Sequence, residues 1–242
     1  MPRKRADMLL TGRGLFESRA RAQAAIVAGL VICDGDVVLK ASQLLPEAGV
    51  ISAGKPHPYV SRGGVKLAAA LDHFGLCPRN LHCLDCGAST GGFTDVLLRR
   101  GAASVVAVDT GKDQLHASLR DDSRITLLEG TDVRTLDPRL LLCPPSFIVC
   151  DVSFISLLLV LPALTKLAAP EASIVMLVKP QFEVGRAAIG KGGIVKDQAA
   201  ITGALARITG AMDDLGWTRA GLTASPIAGG DGNTEFLLAA KR

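Results

Sequence analysis

The stretch LHCLDCGASTGGFTDVLL, Leu81 to Leu98, constrains the fold more than any other part of the chain. Leu81 to Leu84 are mostly apolar and flanked by turn or polar residues, which predicts a short buried strand. Asp85, Gly87, Ala88, Ser89, Gly91 and Gly92 follow as a small-residue turn, and Phe93 to Arg100 has the spacing of an amphipathic helix. Small residues let a ligand come close to the backbone, and the N-terminus of the helix offers unpaired N–H groups.

A second acid, Asp109, ends the next apolar run, SVVAVD. In a Rossmann-type fold an acid at the tip of the second strand is where a ribose diol is held. The turn lacks the dinucleotide spacing G-x-G-x-x-G and the lysine of a phosphate-cradling loop. This favours a nucleoside ligand without a pyrophosphate, of which S-adenosylmethionine is the commonest. Further units follow in alternation. DQLHASLRDD reads as a helix, RITLLEG as a strand, TDVRTL as a loop carrying Asp132 toward an adenine edge, and SFIVCDVSFISL as a strand ending at Asp151. LLLVLPALTKLA is a helix, ASIVMLVKPQF a strand ending at Lys179, and 183–197 a Gly-rich loop with Arg186, Lys191 and Lys196. Gln198 to Leu215 is a helix, and WTRAGLTASPI and EFLLAAK are the last strands. The alternation predicts an α/β, Rossmann-like open sheet wound on both faces, with ligands at the carboxyl ends of its strands.

Charge is unevenly spread. Residues 1–64 hold nine Lys/Arg against five Asp/Glu, and the rest holds 18 of each, so the formal +4 sits in the first quarter. A basic module ahead of a neutral domain suggests an electrostatic anchor for nucleic acid. Residues 4–13 read as a short helix; Ser18 is a candidate N-cap for a second, Arg19 to Ala28, ended by Gly29. Arg19, Arg21 and Gln23 should face outward if Ala22, Ala25 and Ile26 face in. LVIC and DVVLK are short strands joined by the hairpin signal Asp34-Gly35. On Arg5-Ala6-Asp7, Ser18-Arg19, Gln23, Gly29, Val31 and that hairpin, the segment resembles the small RNA-binding module named after ribosomal protein S-four. From Pro46 to Pro58 the pattern dissolves, which suggests a linker. The expected division is a small α+β RNA-binding domain at 1–52, a linker at 53–60 and a catalytic domain at 61–242.

Other classes are disfavoured. Residues 1–10 lack the apolar core of a signal peptide, and the longest apolar stretch, Phe154 to Leu164, falls short of the ~20 residues of a membrane span. A cytoplasmic protein is expected, with six reduced structural cysteines and no metal site, because Cys83 and Cys86 have no second ligand pair to complete one.

Four polar residues stand at the ends of buried elements: Lys66, Asp151, Lys179 and Glu235. Lys179 follows the run SIVMLV and precedes Pro180, which forces an extended backbone at the mouth of the sheet. Lysine, unlike arginine, can lose its proton in a buried site and so serve as a general base. Asp151 can reach both the ligand and Lys179, and Glu235 can orient a lysine.

The motifs VSRGGVKL, DCGASTGGFTDVLL, AVDTGKDQL, DVSFIS, LVKPQFEVG and GNTEF resemble the TlyA family over nearly the whole chain. These are haemolysin-like ribose 2′-O-methyltransferases of ribosomal RNA with an FtsJ-like catalytic domain. The resemblance implies a catalytic tetrad on Lys66, Asp151, Lys179 and Glu235, cytidine riboses as targets, and S-adenosylmethionine as methyl donor. It places the donor against Asp85, Gly87, Ala88, Ser89, Gly91, Gly92, Phe93, Asp109, Thr110, Asp132, Val133 and Asp151. RNA contacts are expected from Arg3, Lys4, Arg5, Arg13, Arg19, Arg21, Gln23 and Lys40, with Arg62, Arg186 and Lys191 in the catalytic part. The partners are ribosomal RNA or ribosomal subunits, without membrane or metal, and the chain is expected to act as a monomer. The short tail after Glu235 resembles the branch associated with the large subunit. The rival expectations are an RNA-binding assembly factor without catalysis and a membrane-active, haemolysin-like protein.

Overall fold

The computed structural model describes residues 2–54 and 57–242. The chain divides into two compact units, Met1–Pro58 and Tyr59–Arg242.

In the first unit, β1 (Arg3–Arg5) leads into α1 (Ala6–Gly12), followed by α2 (Arg19–Val27), β2 (Val31–Cys33), β3 (Asp36–Val37), β4 (Leu44–Pro46) and β5 (Ile51–Ala53). The helix expected from residue 4 starts two residues later. Arg3 to Arg5 pair antiparallel with Leu44–Pro46, a partner that the local sequence does not reveal. Ser18 does cap α2, its Oγ accepting the Arg21 N–H at 3.3 Å. The hairpin turn takes positive φ at both central residues, Asp34 at 51° and Gly35 at 93°, as a type I′ turn requires. The Asp34 carboxylate also accepts the Val50 N–H at 2.7 Å. The stretch read as patternless from Pro46 is therefore structured up to Ala53: β5 pairs with β2, and Asp34 ties the connection down. Residues 55 and 56 of the expected linker lie outside the described residues. The core of this unit joins Leu9, Leu10 and Phe16 to Ala22, Ala25, Ile26 and Val31.

The second unit runs α3 (Arg62–Phe74), β6 (His82–Cys86), α4 (Gly92–Arg99), β7 (Ser104–Asp109), α5 (Ala117–Arg120), β8 (Ile125–Glu129), β9 (Phe147–Cys150) and α6 (Leu157–Leu167). It continues with β10 (Ser173–Val178), α7 (Pro180–Glu183), α8 (Gln198–Asp214), β11 (Thr218–Ala224) and β12 (Phe236–Lys241). The seven-stranded sheet has the order β11-β12-β10-β9-β6-β7-β8. Pairs from β10 to β8 are parallel, whereas β12 is antiparallel to both neighbours. Chain order reverses between β6 and β9, which opens a crevice at their carboxyl ends.

Successive strand residues serve opposite layers, as the two-residue strand period demands. Leu84, Ile148, Cys150, Ile174 and Met176 pack with α6 and α8 through Leu157, Leu161, Leu164 and Ile208. Cys83, Phe147, Val149, Val175 and Leu177 pack with α3 and α4 through Leu67, Leu71, Phe93 and Val96. Each Val, Leu, Ile, Phe or Met among these side chains contributes roughly 1.5–3 kcal/mol on full burial. The helix expected over DQLHASLRDD shrinks to Ala117–Arg120 for a visible reason. The N–H groups of Asp113, Gln114 and Leu115 donate to the Glu129 carboxylate at 2.8, 2.9 and 3.3 Å, which holds them in a turn. That network also draws the Glu129 pKa below its ordinary value. The Gly-rich stretch after α7 is likewise more ordered than a plain loop, with 3-10 turns at Arg186–Ala188 and Lys191–Gly193.

Candidate active site

A cleft of about 900 Å³ opens at the carboxyl ends of β6, β7 and β9. Gly87, Ser89, Asp109, Thr110, Asp132, Val133 and Asp151 line it, all of them expected from the sequence. Gly87 has φ of 83°, and a Cβ there would collide with the backbone carbonyl of Asp151. The bare backbone is what lets the ends of β6 and β9 close on one another. Asp109 accepts the Ser89 N–H at 2.8 Å on one oxygen and the Gly111 N–H at 2.7 Å on the other. Each oxygen keeps a further lone pair for a diol hydroxyl. Asp132 caps its turn through the Arg134 N–H at 2.9 Å and pairs with the Arg134 guanidinium, which lowers its pKa.

The other expected ligand contacts stand elsewhere. Asp85 is fully buried, its Oδ2 accepting the Thr94 hydroxyl at 2.6 Å, while Oδ1 has no hydrogen-bond partner. Burial, reinforced by the charges of Asp151 and Asp109, pushes its pKa up to about 7. Phe93 belongs to the core between α3 and α4. Ala88 is buried. Gly91 and Gly92 are small because neighbouring elements need the space: a Cβ on Gly91 would meet Leu119 at 2.5 Å, and one on Gly92 would strike the Ser61 hydroxyl. Gly91 and Gly92 thus meet a packing requirement that the sequence does not show.

The four end-of-element residues form two ion pairs. Lys66, 7% exposed, meets Glu235, 3% exposed. Lys179 Nζ lies 2.6 Å from Asp151 Oδ1 and donates to Ser153 Oγ at 2.8 Å. Sheet register explains the assembly. Val178 pairs with Phe236, so the residues just beyond them, Lys179 and Glu235, meet at one rim. Cys150 pairs with both Cys86 and Met176, which sets Asp151 between the ligand turn and β10. Lys66 comes from the second turn of α3, which packs against β12. Glu235 stands one residue before β12 and not inside the strand, as the sequence suggested.

Several site residues carry no clear sequence signal. Ser153, Phe154, Ile155 and Ser156 form one wall of the cleft, held by Glu183, whose carboxylate accepts the Ser156 hydroxyl at 2.6 Å and the Leu157 N–H at 2.8 Å. Burial raises the Glu183 pKa. Phe154 is 91% exposed with φ of 65°, a costly conformation for an aromatic residue. Gln114 also lines the cleft and accepts the Ser89 hydroxyl at 3.1 Å. Asn233 is 2% exposed; its side chain accepts the Val195 N–H at 2.9 Å and donates to the Gly193 carbonyl at 3.0 Å, fastening the Gly-rich loop beside Glu235.

In the first unit the expected RNA contacts divide. Asp7 is fully buried and gathers Arg5 at 3.1 Å, Arg19 at 2.6 Å and Gln23 at 3.0 Å, which holds its carboxyl well below the usual range. Arg19 and Gln23 therefore turn back onto α1 instead of simply facing outward. Arg13 donates to the carbonyls of Gly49 and Glu47, and Arg21 pairs with Glu17. Arg3 and Lys40 are exposed and Lys4 half-buried. In the second unit Arg62, Arg186 and Lys191 are exposed. Among the described residues, no group of three or more His, Cys, Asp or Glu is placed to hold a metal ion.

Comparison with known proteins gives this geometry its family. The FtsJ-like methyltransferase family matches residues 59–242. The 16S/23S rRNA (cytidine-2′-O)-methyltransferase TlyA of Mycobacterium tuberculosis is 44% identical over 238 residues, covering 98% of this chain and 89% of that protein. The 23S rRNA (cytidine-2′-O)-methyltransferase TlyA of Campylobacter jejuni is 42% identical over 180 residues, 74% of this chain and 69% of that protein. A solved structure of a haemolysin-named protein of Streptococcus thermophilus superposes with a TM-score of 0.78 at 43% identity, covering 100% of this chain and 89% of that one. The chain belongs to the TlyA family of rRNA (cytidine-2′-O)-methyltransferases, S-adenosylmethionine-dependent enzymes with an FtsJ-like catalytic domain.

Proposed function

We propose that this enzyme methylates a cytidine ribose of ribosomal RNA with Lys179 as the proton acceptor, Lys66 beside the reacting oxygen, and Asp151 and Glu235 holding the two lysines. The observation that carries the assignment is the Lys179–Asp151 pair, whose carboxylate lines the ligand cleft while its lysine stands at the rim. S-adenosylmethionine supplies a methyl carbon on a positively charged sulfur, which leaves as a neutral thioether. The residues that would hold it are Gly87 and Ser89 at the methionine part, Asp109 at the ribose diol, and Asp132 and Val133 at the adenine. The cleft is large enough for a nucleoside of this size, and Asp109 keeps the acceptor capacity that a diol needs.

Lys179 accepts the 2′-O–H proton as that oxygen attacks the methyl carbon. The Lys66 ammonium stabilises the negative charge that builds on the oxygen. Alignment supplies most of the acceleration, because the sulfonium is reactive already. The first unit supplies the RNA anchor through Arg3, Lys4 and Lys40, with Arg62, Arg186 and Lys191 on phosphates near the rim. Loop RNA fits the task, since its sugar can be splayed toward the cleft. We place the reaction in the cytoplasm, where ribosomal RNA is found.

The test is transfer of labelled methyl from S-adenosylmethionine to small subunits, large subunits and naked ribosomal RNA, with Lys179→Ala as control. Label on a ribose, lost by at least about 100-fold in the variant, is the expected result. Label on a base, or a variant as active as the native chain, would overturn the assignment. The membrane-active reading draws on a haemolysin name alone: among the described residues no helix is long and apolar enough to cross a membrane. The two ion pairs favour catalysis over an assembly role.

A further inference from the structure

We infer that Ser153 is a positioning residue of the methyl transfer: it fixes the rotation of the Lys179 amine so that the lone pair formed on deprotonation points at the ribose hydroxyl. The inference rests on the proposed role of Lys179 as proton acceptor.

The argument begins with the number of bonds a lysine nitrogen can make. As an ammonium it carries three N–H donors; as a neutral amine it carries two and one lone pair. A primary amine on a long stem spins freely, so burial alone does not aim that lone pair. Here two acceptors flank the nitrogen, Asp151 Oδ1 at 2.6 Å and Ser153 Oγ at 2.8 Å. Asp151 Oδ1 is buried and accepts no aligned hydrogen bond, so its charge is met only by the ion pair with the Lys179 ammonium. The hydrogen bond to Ser153 Oγ fixes one N–H, and the Asp151 charge draws a second to its side, so one tetrahedral position remains on the nitrogen. That position holds the third proton in the ammonium and the lone pair in the amine.

One acceptor would not suffice. With Asp151 alone, the amine rotates about a single contact, and the lone pair sweeps a cone that includes solvent. Ser153 removes that freedom. Its placement is itself controlled, because the wall from Ser153 to Ser156 is tied at its far end to the Glu183 carboxylate. Both acceptors line the same cleft as the proposed donor-binding residues, and the inference places the remaining position toward the reaction region. Before the reaction the ammonium gives its third proton to solvent. In the reaction the 2′-O–H bond breaks and its proton goes to the Lys179 lone pair. The oxygen forms a bond to the methyl carbon, and the methyl–sulfur bond breaks with its electrons retained on sulfur. The lysine ends as an ammonium, with the same two acceptors in place.

The test compares native protein with Ser153→Ala, Ser153→Thr, Lys179→Ala and the Ser153→Ala/Lys179→Ala double variant, on the ribosomal substrate that the native protein labels. Ser153→Ala should lower kcat about 10-fold or more, with KM for RNA, Kd for S-adenosylmethionine and thermal midpoint close to native. Ser153→Thr, which keeps the hydroxyl, should restore most of the rate. In the Lys179→Ala background, removing Ser153 should cost nothing further, because its effect passes through the lysine. Native kcat in Ser153→Ala, or equal losses in the alanine and threonine variants, would overturn the inference while leaving Lys179 intact as the base. So would a loss of cofactor affinity as large as the loss of rate, since it would assign Ser153 to binding. Full activity in Lys179→Ala would instead remove the proposed function on which the inference stands.

Discussion

Asp85 shows how a single buried group ties stability to pH. Its carboxyl lies in the strand that begins the ligand turn, fully enclosed, and its pKa is raised by burial to about 7. An unfolded chain would ionise it near pH 4. Between those values the folded state holds the extra proton, so the stabilisation is complete below about pH 4 and is lost as pH rises through about 7, on the order of a few kcal/mol. The thermal midpoint of the native chain should therefore fall between pH 5 and pH 8. Asp85→Asn, which stays neutral, should flatten that part of the profile in a calorimetric series; an unchanged slope would show that Asp85 ionises normally. The sequence revealed the position of Asp85 but not its surroundings. An acid beside glycines in a turn reads as a ligand contact, and only packing shows that Thr94 and the core enclose it.

At the scale of elements, the Gly-rich loop and β12 act together through Asn233. Two backbone groups of the loop satisfy one buried amide, and Glu235 lies two residues further on. Replacing Asn233 with alanine removes both bonds and leaves the Val195 N–H without its partner, a cost of about 1–3 kcal/mol. The expected outcome is a thermal midpoint lower by several degrees and a KM for RNA raised several-fold. Affinity for S-adenosylmethionine, measured by calorimetry, should be close to native. An equal loss of cofactor binding would show that the loop shapes the donor cleft. Strands and helices of this unit were legible because apolar runs of strand length alternate with amphipathic segments. The loop's attachment was not, because Asn233 and Gly193 are far apart in the chain and neither has a periodic context. The same limit hid β1 and β4, whose three-residue pairing has no pattern of its own.

For the whole molecule, charge placement bears on the proposed RNA anchor. The formal +4 belongs to the first quarter, yet Arg5 and Arg19 are committed to the buried Asp7 and Arg13 to backbone carbonyls. Phosphate contacts should then fall mainly on Arg3, Lys4 and Lys40. Replacing these three with alanine should reduce the slope of log affinity against log salt by about 2 for single-stranded RNA. Filter binding across a salt series measures this directly. Replacing Asp7 with asparagine should act differently, lowering the stability of the unit without a matching change in slope. A salt slope unmoved by the triple variant would shift the anchor to the cations of the second unit.

The sequence by itself determined the α/β class, the strand–turn–helix that borders the cleft, Asp109 at the second strand tip and the positions of Lys66, Asp151, Lys179 and Glu235 at the ends of buried elements. Those features are local: strand and helix periods, glycines and a proline fix them within a few residues. The tertiary structure decided which of the four pair with which, through the registers of β9, β10 and β12. It also packed Gly91, Gly92 and Phe93 against neighbouring elements, let Asp7 claim part of the basic face, and stood Ser153 against Lys179. Each of these depends on atoms brought together from distant parts of the chain, where burial and hydrogen-bond geometry, and not local pattern, set the outcome.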